Sequence, residues 1–358
     1  MNRLLFAAAL ALVAAPAAAQ SNIRNADLRE RTAGDLAQTF RQLAGEAGPI
    51  WVGYAVAAQN GEWNSCCHDD RVDGWSCCGR CWLEERAGSA TAASGERRSA
   101  PVELEAGARA VILYRIEGRQ VQRIRLFSGS CELDAGGRTV HWLTGVQMPA
   151  SVALLATYAA DTPEGTESRR KLTSSALAAI AAHGDPAADR ALERFLQPGQ
   201  SAHTRRQAAF WAANARGRAG FDLVRRALRT DTDEEFRRRA VFALSQSREP
   251  EVTDALVQIA KTDASARVRG EAIFWLAQKA GERAVGAISD AIDNDPDTKV
   301  KERAVFALSQ LPKDEGVPKL IEVARTNRNA AVRKRAIFWL GQSRDPRALR
   351  FFEEILKE

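Results

Sequence analysis

A seven-residue phrase recurs through the second half of the chain at a spacing of 32 residues. It reads Ala240-Val-Phe-Ala-Leu-Ser-Gln246, Ala272-Ile-Phe-Trp-Leu-Ala-Gln278, Ala304-Val-Phe-Ala-Leu-Ser-Gln310 and Ala336-Ile-Phe-Trp-Leu-Gly-Gln342, with weaker copies from Ala208 and Ala176. A period of this length marks a solenoid, because one unit cannot bury its own apolar face and must stack on its neighbours. The function of such a chain belongs on a long repeated surface.

With the phrase alanine as position zero, position −4 holds Leu172, Thr204, Phe236, Val268, Val300 and Val332, and position +4 holds Ile180, Ala212, Leu244, Leu276, Leu308 and Leu340. Positions −4, 0 and +4 share one helical face, which predicts an amphipathic helix with its apolar stripe inward. A second stripe follows in each unit, as in Val252, Leu256 and Ala260, in Ala284, Ile288 and Ile292, and in Ala348, Phe352 and Leu356. Each repeat is therefore read as two helices. Pro186, Pro198, Pro250, Pro296, Pro312 and Pro346 fall in the connections, and Pro318 is assigned to the first turn of its helix. Asp231, Asp233, Asp263, Asp295, Asp297, Asn327 and Asn329 precede the phrase helices, where they can cap free N–H groups.

The aliphatic-basic pair followed by Ala and then Leu occurs as Val268-Arg269 with Ala272 and Leu276, Val300-Lys301 with Ala304 and Leu308, and Val332-Arg333 with Ala336 and Leu340. In this pattern the chain resembles bacterial HEAT-like repeats, the short type named after phycobilisome lyases, over about residues 151–358. The resemblance implies a binding scaffold, with the phrase helix lining the concave side of the array. It also implies that position +2, about 200° around the helix from the buried alanine, is polar. Here that position is Phe210, Phe242, Phe274, Phe306 and Phe338, and position +6 adds Gln246, Gln278, Gln310 and Gln342, with Asn214 in the earlier copy.

Two accounts of the phenylalanines compete: they tuck between neighbouring helices and extend the core, or they form a docking strip flanked by amides and by Arg269, Lys301 and Arg333. The second is the expectation carried forward, with a protein or peptide segment as ligand. Position +3 alternates Trp211, Ala243, Trp275, Ala307 and Trp339, a large-small interlock that suits packing and implies a double repeat of 64 residues.

At the other end, Arg3 precedes an apolar run from Leu4 to Val13 and then Ala17-Ala18-Ala19, the pattern of a cleaved export signal over residues 1–19. The apolar core is short for a bilayer span, so a periplasmic or secreted protein is expected, with no membrane span. Loss of Arg3 lowers the formal net charge of +6 to about +5. That mixed surface and the expected export argue against nucleic acid as a partner.

Residues 20–147 are expected to form a small cysteine-rich α+β domain: a helix from Asn25 to Ala44, strands over Ile50–Val56, Ala110–Ile116, Val121–Phe127 and Thr139–Leu143, a hairpin turn at Glu117-Gly118, and a mobile loop from Glu85 to Ala100. Asp134-Ala-Gly-Gly-Arg138 is read as a tight turn between strands in preference to an anion site. All six cysteines lie in this domain, at Cys66, Cys67, Cys77, Cys78, Cys81 and Cys131. Disulfides of unassigned pairing, with Cys131 as the long-range staple, are the first expectation in an oxidising compartment. A zinc or soft-metal site using Cys66, His68, Cys78 and Cys81 is the second, and a redox pair of Cys78 and Cys81 the third. Either of the latter would make a periplasmic metal or thiol sensor the alternative function. The histidines His68, His141, His183 and His203 are scattered, and no GxSxG, HExxH or phosphate-loop motif occurs, so no enzyme and no cofactor are expected.

The whole chain is thus expected to be an all-α superhelical solenoid of helix pairs over residues 148–358, HEAT-like with a 32-residue period, preceded by the small α+β domain.

Overall fold

The computed structural model describes residues 23–61, 63, 81–84, 109–129, 131–160 and 166–357. The expected export signal, the Glu85–Ala100 loop and Cys66, Cys67, His68, Cys77 and Cys78 lie outside the described residues.

The N-terminal unit is a mixed sheet built from β1 (Ile23–Thr32), β2 (Ile50–Ala57), β3 (Cys81–Trp82), β4 (Arg109–Glu117), β5 (Gln120–Ser128) and β6 (Leu133–Thr144). Its order is β1-β6-β2-β4-β5, with β3 also paired to β6. β1 and β2 run parallel to β6, whereas β2, β4 and β5 are mutually antiparallel neighbours. The central strands are apolar on both faces, as the near-continuous run Ile50–Val56 suggests. One face buries Val52, Tyr54, Ile112 and Tyr114 under α1 (Leu36–Ala44) and α2 (Met148–Ala159). The other buries Trp51, Leu113, Phe127, Val140, Trp142 and Cys131 in a separate core.

Two expectations fail in this unit. Residues 25–32, read as the start of a helix, belong instead to the edge strand Ile23–Thr32, paired in parallel with β6. The helix begins only after Gly34, which has a positive φ of 53°, and Asp35, whose side chain accepts from the Gln38 N–H at 2.9 Å. Pairing with β6 overrides the helical propensity of these residues, a tertiary effect that local preference cannot anticipate. Asp134–Arg138 is likewise not a turn between strands: it lies within β6, where the register against β1 shifts between Arg24 and Ala26. Asp134 accepts from the Gly136 N–H at 2.9 Å and from Asn25 Nδ2 at 3.1 Å, fixing a bulge.

Among the described residues, twelve further helices form the array. The phrase helices are α3 (Glu167–Ala182), α5 (Ala202–Ala215), α7 (Glu234–Ser245), α9 (Ala266–Ala280), α11 (Thr298–Ser309) and α13 (Ala330–Ser343). Between and after them come α4 (Pro186–Leu196), α6 (Gly217–Thr230), α8 (Val252–Thr262), α10 (Val285–Asn294), α12 (Lys313–Thr326) and α14 (Pro346–Ile355). Position zero is buried in every phrase helix, as the periodicity requires. Position +1 is buried as Ala209, Val241, Ile273 and Val305 but exposed as Ile337, so this position forms the stacking face toward the following unit. The second stripe is buried as expected in α8 and α10, while α14 buries Ala348 and Phe351 and leaves Leu356 exposed. Pro318 falls well inside α12, past the first turn, because the helix already starts at Lys313.

The two units share one continuous core, since the sheet face, α2 and α3 belong to the same buried cluster as the repeats. A polar chain crosses this junction. His183, fully buried, contacts the Ala179 carbonyl through Nδ1 at 2.7 Å and Ser151 Oγ through Nε2 at 2.8 Å. Ser151 Oγ lies 2.7 Å from Tyr54 Oη, which lies 2.7 Å from Tyr114 Oη. With Nδ1 protonated, every hydroxyl can donate once toward His183, so the chain is satisfied only around a neutral imidazole. The serine-histidine distance would suit a nucleophile and its base, but both groups are sealed and no carboxylate orients the ring.

Burial pushes the His183 pKa down from 6.5 to about 4, against the opposing pull of the Ala179 carbonyl. An unfolded chain takes up this proton near pH 6.5, while the folded protein resists it until about pH 4, so this contribution to stability is present above pH 6.5 and is lost as pH falls through that window. The expected loss is on the order of 3 kcal/mol. Urea denaturation between pH 7 and pH 4 should therefore show a steeper fall for the native protein than for His183→Gln; equal slopes would contradict the buried neutral imidazole.

Candidate functional site

Three successive units are each set on the next by a largely buried ion pair at their junction. Arg269, at position −3, gives a bidentate bond to Asp295 at 2.8 and 2.9 Å and donates to the carbonyls of Asp263 and Ala264. Arg237 does the same to Asp263 at 3.1 and 3.2 Å, and Arg205 pairs with Asp231. The acceptors themselves close an Asx turn onto the residue two places on: Asp231 onto the Asp233 N–H, Asp263 onto Ser265, Asp295 onto Asp297, and Asn327 onto Asn329. Asp233, Ser265, Asp297 and Asn329 then cap their helices. Of the residues expected as caps, Asp233, Asp297 and Asn329 cap their helices, Asp231, Asp263 and Asp295 are junction residues, and Asn327 only closes its turn; α9 is capped by Ser265, which was not among those expected.

This geometry reassigns the basic residues expected to flank the docking strip. Arg269 is buried in its pair, Arg333 donates to the carbonyls of Asn327 and Arg328, and Lys301 donates to the Asp293 carbonyl at 2.6 Å. Position −3 lies about 60° from the buried alanine, on the stacking side, whereas position +2 lies at about 200°. Where the following aspartate is Asn327, the arginine is replaced by Lys301, so the fork and its carboxylate disappear together.

The phenylalanines form a ring-to-ring ladder. Phe210 stacks on Phe242 with centroids 6.1 Å apart, and Phe274 stacks on Phe306 at 6.0 Å and an interplanar angle of 3°. Trp275 bridges the two pairs at 4.9 Å from Phe242 and 5.0 Å from Phe274, and Trp339 meets Phe306 and Phe338 at 5.0 Å each. Trp63 joins the other end against Trp211. The tryptophans at position +3 therefore serve as links of the same ladder, and the alternation expected from sequence sets its two-unit period. Phe210, Phe274 and Phe306 are half-buried by their neighbours, while Phe242 and Phe338 are 36% and 50% exposed. Gln278, Gln310 and Gln342 are exposed and Gln246 half-buried; Gln246 and Gln310 donate to the preceding serine hydroxyls.

Beside this ladder, the N-terminal halves of α7, α9, α11 and α13 enclose an open cavity of about 1050 Å³. Phe306 and Trp339 form part of its lining, with a mixed wall of charge at positions −1 and −2. Glu271 is the centre of that wall: it accepts from Trp275 Nε1 at 2.9 Å and from Arg303 at 3.1 Å, and pairs with Arg238 at 3.5 Å. Arg238 and Arg239 hold the Glu235 carboxyl low, at about 2. Position −1, which sequence reasoning missed, lies at about 260° and so shares the strip's face; the same rotation applied to every position would have found it. Among the described residues no group of three potential ligands could hold a metal ion, and no helix is long and apolar enough to cross a membrane.

Residues 190–277 and 285–358 match the family model of HEAT repeats, and the array is a HEAT-repeat solenoid. No curated protein sequence matches the chain. Among solved structures, the chain is similar to YibA of E. coli at 25% identity over 48% of this chain and 64% of that one, with a TM-score of 0.34, so it spans just under two thirds of that protein. It is also similar to human deoxyhypusine hydroxylase, at 17% identity over 58% of this chain and 90% of that one, TM-score 0.31. The complex of CpcE and CpcF of phycocyanin lyase from Nostoc sp. PCC7120 matches at 17% identity over 55% and 77%, TM-score 0.30. None of the three superposes closely enough to speak to activity.

The junction assignment is tested by stability. Arg269→Met leaves Asp295 buried without its partner and is expected to cost about 3–5 kcal/mol in urea unfolding, while the joint change with Asp295→Leu costs markedly less. A surface role for Arg269 would leave the single variant within about 0.5 kcal/mol of the native protein.

Proposed function

We propose that this protein is an exported, non-enzymatic scaffold whose HEAT array captures a segment of another protein along the ladder face. The observation that carries the reading is the continuous row of partly exposed aromatic rings from Phe210 to Phe338, running beside a cavity walled by paired charges. Aromatic rings held rigidly by one another offer a large apolar contact area with little conformational entropy left to lose, the character of binding hot spots. The exposed carboxamides of Gln278, Gln310 and Gln342 carry both donors and acceptors and recur once per unit, which suits the peptide groups of an extended or helical segment.

The charge of the cavity wall balances itself through pairs such as Arg238–Glu235 and Arg303–Glu271, so general electrostatic attraction contributes little. Recognition then falls to shape, apolar contact and local hydrogen bonding. Export is read from the pattern of residues 1–19, and with it the partner belongs to this proposal as a periplasmic or secreted protein. The basic residues Arg269 and Arg333 are left out of the proposed contact surface because their guanidinium groups are engaged at the unit junctions and helix starts.

Phe242→Ser with Phe338→Ser removes the two most exposed rings of the row. Cross-linking pull-down of the protein from its own envelope should show capture of the partner reduced about tenfold or more, with a melting temperature close to native. Undiminished capture by the folded double variant would contradict the ladder as the docking face.

A further inference from the structure

The double repeat supplies an internal comparison among the ladder's three tryptophans at position +3, of which the last two belong to the helices around the cavity. Trp275 and Trp339 occupy the same place two units apart, and each lies four residues after position −1 of its own helix. In α9 that residue is Glu271, whose carboxylate accepts the Trp275 Nε1 hydrogen at 2.9 Å. In α13 it is Arg335, a cation with no acceptor to offer. Trp339 Nε1 is accordingly shielded from solvent with no hydrogen-bond partner. A buried donor left unmade costs about 1–3 kcal/mol, so a ligand that supplies the acceptor recovers that cost on binding.

Arg335 is itself only loosely engaged. Its side chain is 44% exposed and its ion pair with Glu302 is 3.8 Å long, while Glu302 is also held by Lys299 at 3.0 Å. Both Arg335 and Trp339 line the 1050 Å³ cavity. The wall thus holds, on adjacent turns of one helix, an exposed guanidinium and an unmet indole N–H that is covered in the free groove, so an acceptor reaches it only as the side chains over it shift to admit the ligand. At the equivalent place in α9 the chain fills the same indole with a carboxylate of its own.

We propose that Arg335 and Trp339 Nε1 form a carboxylate subsite of the groove, filled by an aspartate or glutamate side chain of the captured segment. This rests on the groove being the docking face and adds the chemistry of one contact within it. The incoming carboxylate would accept from Trp339 Nε1 as Glu271 accepts from Trp275, while its second oxygen takes the charge-assisted bond from Arg335. An amide side chain could supply the acceptor but not the charge, so the subsite discriminates glutamate from glutamine. The captured segment is therefore acidic at the α13 end of the ladder.

The test uses the full chain and two synthetic peptides of equal length, one alternating glutamate with alanine and one alternating glutamine with alanine. The native protein should bind the glutamate peptide about tenfold more tightly than the glutamine peptide. Trp339→Phe keeps the ring and deletes the donor, and should lower that preference severalfold. Arg335→Glu recreates the α9 arrangement within α13: it should abolish binding of the glutamate peptide and raise the melting temperature, which separates loss of the subsite from loss of the fold. Equal binding of the two peptides, no binding of either, or a preference unchanged in Trp339→Phe would each overturn the subsite. The groove reading is judged separately, by whether Phe242→Ser with Phe338→Ser still captures the envelope partner.

Discussion

The buried pair between an arginine at position −3 and the aspartate that opens the following unit sets the register of the array. A carboxylate that accepts two bonds from a guanidinium and one from its own turn has no room to slide, and it presents the capping residue to the next helix at a fixed place. Three consecutive junctions, at Arg205, Arg237 and Arg269, repeat this arrangement. The phrase helices are then held so that position +2 of one unit meets position +2 or +3 of the next. The aromatic ladder is a consequence of that register, and ring stacking in turn reinforces it. Desolvating these charges makes each pair weak as a source of net stability and strong as a source of specificity, because a misregistered unit would leave both ions buried and unpaired.

At its other end the array is fixed by the sheet, and here polar chemistry again does the aligning. His183 closes α3, pairs through its backbone with Ala58 next to β2, and gathers Ser151, Tyr54 and Tyr114 into one chain of hydrogen bonds. Arg216 binds the carbonyls of Ala181, His183 and Asp185 and a bidentate Asp189 beneath the same loop. The ladder therefore starts from a fixed platform, with Trp63 of the N-terminal unit as its first ring.

Much of the array could be read from the sequence because its signals are periodic. The buried alanines, the helix pairs and the row of phenylalanines follow from 32-residue spacing and helical rotation alone. The basic residues were harder: Arg269 sits near the strip in sequence, but its long side chain points to the stacking side and reaches the next unit, a destination that only the neighbouring helix determines. Position −1 is harder to see because its arginines, Arg239, Arg303 and Arg335, are interrupted by Glu271 and give way to Ser175 and Gln207 in the first units. In the N-terminal unit the missed strand at Ile23–Thr32 had no local signal beyond Gly34 and Asp35, since what makes it a strand is the far-off β6. The cysteine expectations rest on residues outside the described ones, apart from the β3 position of Cys81 and the buried place of Cys131.

A rigid register, a half-open aromatic row and one wall position whose charge is inverted between equivalent units are the features on which the proposed capture of a protein segment rests. The most direct measurement is site-specific photo-cross-linking in intact cells that make the protein, with a photoreactive phenylalanine analogue placed at Phe242, at Phe306 or, on the opposite helix layer, at exposed Gln258. The account predicts adducts from Phe242 and Phe306 to a single partner, falling in one contiguous segment of it, and none from Gln258. Adducts from Gln258 alone, or from no position, would contradict it.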